Sequence, residues 1–140
     1  MKKIVVLLLL MITTNVLAEW TFNGNDDEGT VSSYVDLKST RKKGKRVKMW
    51  DLMDWTMIQG IVNQGNPFGE DRSTSYLSSV VYRLYDCEEE TSSIIEAINY
   101  SGQMGSGTVV GESFPNGAER IPVAPRTLAE GLLRVACGMK

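Results

Sequence analysis

Apolar and polar positions alternate with a strand-like period over most of the chain, then switch to a helical period near residue 128. The longest alternating stretch is Arg46 to Met57, RVKMWDLMDWTM. Its apolar residues fall on both faces, Met49 and Met53 on one, Trp50 and Leu52 on the other. That pattern predicts a central strand covered on both sides rather than an edge strand. Ser75 to Cys87 alternates through Tyr76, Val80, Tyr82 and Leu84, and Ser93 to Ser101 continues through Ile94, Ile98 and Tyr100. Val31 to Val35 favours strand, and Thr108 to Val110 makes a short last one after a glycine-rich bend.

Between these runs lie turn signals. Asn23 to Thr30 (NGNDDEGT) is a polar turn after the short run Glu19-Trp20-Thr21-Phe22, and Lys38 to Lys45 reads as a turn centred on Lys43-Gly44. Gln59 to Thr74, with Gly60, Gly65, Pro67 and Gly69, reads as a long loop of the kind that is often functional. No internal repeat or low-complexity tract interrupts the pattern.

The tail changes character. Thr127-Leu128-Ala129-Glu130 has the spacing of a capping box, in which hydroxyl and carboxylate each satisfy a backbone N–H at a helix start. Leu128, Leu132, Val135 and Ala136 then recur at helical spacing, with Leu133 and Cys137 at the edge of the arc and Gly138 as the natural stop. A one-faced helix needs a surface to cover. The predicted fold is α+β: a single antiparallel sheet of five to six strands with one C-terminal helix packed on one face. One helix covers only one face, so the other predicts a homodimer through the sheet.

The N-terminus sets the compartment. Lys2 and Lys3 precede an unbroken apolar run, Ile4 to Ile12, and Val16-Leu17-Ala18 suits a signal peptidase. The run is shorter than the ~20 residues a spanning helix needs. Residues 1–18 are therefore expected to be a signal peptide, and 19–140 one exported domain. No Cys lies near the cut to carry a lipid. Losing Lys2 and Lys3 takes the formal charge from −2 to −4, which disfavours nucleic acid as a partner. The two cysteines, Cys87 and Cys137, are expected to join in an oxidising compartment. Buried thiols or a redox pair are the alternatives, and neither suits residues so far apart without C-x-x-C spacing.

Histidine is absent, which removes the commonest metal ligand and the commonest general base at neutral pH. No G-x-S-x-G elbow appears. The three glycines of "SGQMGSG" (Gly102, Gly105, Gly107) precede a strand and not the helix a phosphate loop requires, so they predict a tight connection with positive φ. The acidic run Asp86, Glu88, Glu89, Glu90 lacks calcium-loop spacing and reads as a solvated turn. Trp50, Trp55, Phe68 and Tyr85 are candidates for an aromatic platform or for core. The residues therefore imply no enzyme, no cofactor and no metal.

One segment stands out against the acidic balance. RKKGKR at 41–46 arranges Arg41, Lys42, Lys43, Lys45 and Arg46 in the X-B-B-X-B-X pattern of heparin-binding segments, widened by Lys38 and Lys48. On a hairpin such charges can converge on a polyanion or an acidic protein surface. The plain alternative is a solvated turn whose charges discourage edge-to-edge pairing.

The order Trp20, YVDLKST (34–40), VKMWDLMD (47–54), YDC (85–87), YSGQMGSGTVV (100–110) and LLRVACG (132–138) resembles the surface-adhesin protein E family over nearly all of residues 19–140. The resemblance implies an exported protein of Gram-negative bacteria, with an antiparallel sheet and a C-terminal helix tied on by a disulfide. Its name-giving members sit on the cell surface and bind host matrix and serum proteins such as vitronectin and laminin. Other relatives are periplasmic, and there an envelope polyanion or envelope protein is the expected partner.

Overall fold

A computed structural model describes residues 18–60, 75–115 and 119–139. Residues 1–17 of the expected signal peptide at 1–18 and nearly all of the loop at 59–74 lie outside them. Seven antiparallel strands form one sheet: β1 (Thr21–Asn25), β2 (Val31–Lys43), β3 (Arg46–Gln59), β4 (Tyr76–Asp86), β5 (Thr91–Tyr100), β6 (Val109–Ser113) and β7 (Ile121–Pro122). The first six lie side by side in chain order, and β7 pairs with the free end of β5 beside Thr91 and Ser92. Helix α1 (Leu128–Cys137) follows.

The helix forms as its cap predicts. The Thr127 hydroxyl accepts from the Glu130 N–H, and Gly138 ends the helix in the left-handed conformation at φ 64°. The Glu130 carboxylate accepts from the Arg126 N–H at 2.6 Å, one residue earlier than in the standard box. The buried stripe is Leu132, Leu133 and Ala136, while Val135, expected on that stripe, faces outward. Those three pack on Val35, Val47, Met49 and Tyr85, with Met53, Val123 and the two cysteines at the margin. Cys87 and Cys137 form a disulfide across 50 residues of sequence, with Cα atoms 5.8 Å apart. Closing a loop of that size stabilises the fold by about 4 kcal/mol on the loop-entropy account.

The second face is not bare. After β5 the chain makes a 3₁₀ turn (Gln103–Gly105) that folds back over it. Ser78 Oγ donates to the Gly102 carbonyl at 2.6 Å and accepts from the Gly105 N–H at 2.9 Å. The Met104 N–H donates to Asp54 Oδ1 at 2.7 Å. Gly105 sits at φ 70°, and a Cβ there would stand 3.3 Å from Val80 and 3.5 Å from Leu52. Leu52 is fully buried in consequence. Over Leu52 and Val80 the chain itself supplies cover for this face.

β2 differs most from expectation. Lys38 to Lys43, expected in a turn, is strand; the turn is only Gly44-Lys45, with Gly44 at φ 61°. A two-residue hairpin turn draws on glycine for this reason. β1 likewise runs on to Asn25, into the expected polar turn.

Candidate functional site

The lysine-rich segment forms the tip of the β2–β3 hairpin, and a bulge decides which way its side chains point. β2 pairs regularly with β3 from Val31 to Asp36 and again from Arg41 to Lys43, with a shift between. The shift is stitched by side chains. Ser39 Oγ donates to the Asp36 carbonyl (2.6 Å) and accepts from the Trp50 N–H (2.9 Å), and Asp36 Oδ1 accepts from the Lys38 N–H (3.0 Å). Asp36 lies opposite Trp50, and Arg41 lies opposite Lys48, so five residues on β2 span two on β3. An odd excess reverses the alternation of the strand.

The consequence is convergence. Residues directly opposite share a face. Arg41 and Lys48 form one rung with Leu84 beyond them, and Lys43 and Arg46 form the next, with Asp86 beyond. All four cations thus stand on the face away from the helix. Lys42 lies opposite the buried Val47 and flanks the group from the other side. Arg41, Lys42, Lys43, Arg46, Lys48 and Leu84 line an open cleft of about 450 Å³. One rung further along, Trp50 and Tyr82 stack at 4.8 Å, half-buried, between Asp36 and Glu96.

Three of the predicted cations are already paired. Lys38 meets Glu19 at 2.6 Å, away from the cleft; Lys45 meets Glu88; Arg46 lies 3.6 Å from Asp86. Arg41 Nη1 donates to the carbonyls of Lys38 and Thr40. Among the described residues, Lys42, Lys43 and Lys48 have no ion pair. The acidic run supplies the turn after β4, where Asp86 Oδ1 accepts from the N–H groups of Glu88 and Glu89. Those backbone donors, that of Glu89 foremost, hold the Asp86 carboxyl below its usual range.

The aromatic platform does not assemble. Tyr85 is buried under the helix while Trp50 lies on the other face, and Phe68 is outside the described residues.

A second polar cluster escaped sequence reasoning. Asp51 is fully buried on the helix side of β3. Its Oδ2 accepts from Arg83 Nε at 2.7 Å and from the Tyr85 hydroxyl at 3.3 Å, while Oδ1 has no partner among the described residues. Burial pushes the Asp51 carboxyl up to about 6, against the opposing pull of the Arg83 guanidinium. Burial, with the Asp51 charge beside it, also raises the Tyr85 phenol far above its ordinary value. The one signal was an Asp in phase with Met49 and Met53 in the central strand. Under the helix and away from the cleft, this cluster is structural.

The family model for surface-adhesin protein E matches residues 20–138. Crystal structures of Haemophilus influenzae protein E share the fold. Crystal form II aligns with a TM-score of 0.55 at 14% identity, covering 84% of this chain and 87% of that one. Protein E from the non-typeable organism aligns with a TM-score of 0.56 at 13% identity, covering 89% and 79%. Among curated protein sequences none matches.

Proposed function

The chain belongs to the surface-adhesin protein E family, and on that basis we propose that it is an exported, non-enzymatic adhesin-type domain that meets its partner through the basic end of the open sheet face. The bulge-phased convergence of Arg41, Lys43, Arg46 and Lys48 around one cleft carries this reading. Like charges directly opposite in a sheet are destabilising, by up to about 1 kcal/mol per pair. Two such rungs stand side by side, and Lys43 and Lys48 lack an ion pair among the described residues. An anionic partner offsets that repulsion.

The partner class is a host matrix or serum protein, with vitronectin and laminin as the first to test. Binding to the immobilised protein should weaken strongly from low to high ionic strength. A folded variant carrying Lys42→Glu, Lys43→Glu and Lys45→Glu should lose it; unchanged binding would eliminate the reading. External protease on intact cells separates the two destinations, since a surface adhesin is cleaved and a periplasmic envelope protein is spared. Self-association through Phe22, Tyr34, Trp50 and Tyr82, left beside the 3₁₀ turn, is a further proposal. A strict monomer in sedimentation at micromolar concentration rejects it.

A further inference from the structure

We infer that the cleft of Arg41, Lys43, Arg46 and Lys48 takes a sulfated polysaccharide chain, laid along the hairpin with its sulfates on the two cationic rungs. The inference rests on the reading of this cleft as the contact surface and names the chemistry that fills it. Three observations select that chemistry over other anions.

The first is spacing. The rungs Arg41–Lys48 and Lys43–Arg46 lie two residues apart along each strand, about 7 Å. A single phosphate reaches one rung; a chain bearing sulfates at intervals reaches both. The second is size. A cleft of about 450 Å³ is in the range of small-molecule sites and fits a few sugar rings rather than a protein element such as a helix, about 10 Å across. Leu84 and the aliphatic stems of the lysines give its floor an apolar surface for the C–H face of a pyranose.

The third is the boundary. The next rung carries Asp36 and Glu96 at either side of the Trp50–Tyr82 stack. These carboxylates repel an anion that continues along the strands, so the site ends there. A broad acidic protein surface would have to cover Asp36 and Glu96 as well. A slender chain leaves at the aromatic pair instead. Repulsion of this kind is how a site discriminates among ligands of one charge sign.

The test is calorimetric titration of the full-length processed protein with a heparin oligosaccharide, its chemically desulfated form, and poly-glutamate. The heparin fragment should bind with an affinity that falls as salt rises, and the other two should not. Arg41→Ala, Lys43→Ala and Lys48→Ala should each weaken it at least about tenfold. Lys38→Ala, off the cleft, should leave it unchanged, and Asp36→Asn with Glu96→Gln should tighten it. Thermal unfolding checks each variant, and Lys43→Gln and Lys48→Gln replace any that misfolds. No heparin binding, or equal binding of poly-glutamate, overturns the inference. If heparin is ignored while these variants still lose the matrix protein, this inference falls and the adhesive reading stands. If heparin binding is lost in the variants and matrix-protein binding is not, the adhesive reading of the cleft falls alone.

Discussion

Lys48 and Asp51 stand three residues apart on β3 and face opposite sides of one sheet. Asp51 lies fully buried on the helix side, with Arg83 and Tyr85 aimed at one of its oxygens. Lys48 stands exposed among cations, with no counter-charge among the described residues. The buried group is held by what the fold provides; the exposed group stands where the fold provides nothing. Perturbing the first should therefore cost stability, and perturbing the second should cost binding and leave stability untouched.

The contrast is sharpest if the helix-side layer is broken. Arg83→Leu leaves the Asp51 charge buried without its guanidinium, and denaturant unfolding at neutral pH should show a loss of about 3 to 5 kcal/mol. Releasing the helix by Cys87→Ser with Cys137→Ser should cost about 4 kcal/mol in the same measurement. A milder perturbation is pH. With a folded-state pKa of about 6 against the ordinary 3.8, Asp51 holds its proton more tightly in the native chain than in the unfolded one. Its contribution is thus fully favourable below about pH 4 and is lost as pH rises through 6, by roughly 3 kcal/mol. Asp51→Asn should flatten the stability profile across that window. Asp26 and Asp86, half-buried and held below their usual range by their hydrogen bonds, act in the opposite sense at lower pH. On the other face the expected effect on stability is smallest. Lys43→Gln with Lys48→Gln should leave it the same or raise it by about 0.5 kcal/mol, because repulsion is relieved. A large loss there would erase the distinction between the two faces.

The features legible in sequence are those with local signatures. Thr127 and Gly138 bracket the helix, the two-sided run around Trp50 marks a central strand, and two cysteines in an exported chain find each other. The hidden features depend on register. Lys38 to Lys43 has no apolar alternation, so a strand at the sheet's cationic end reads as a turn. The bulge around Ser39 turns on two hydrogen bonds from one hydroxyl, and it alone brings Arg41 and Lys43 onto the face of Lys48. The cover over Leu52 depends on Ser78 and Asp54 meeting a turn more than twenty residues away in sequence. Ile121-Pro122 is too short a strand to show any period. The charged residues were visible, and their arrangement was not.

The nearest-neighbour order of the first six strands has a consequence for how such a chain matures. Each hairpin can zip onto its predecessor as soon as both of its strands are free to fold, with little loop entropy to overcome. The sulfur bridge cannot close until the segment after every strand has arrived, so the joint oxidation of Cys87 and Cys137 by a thiol oxidant of the compartment acts as a completion mark, leaving truncated or stalled products with a free Cys87 thiol.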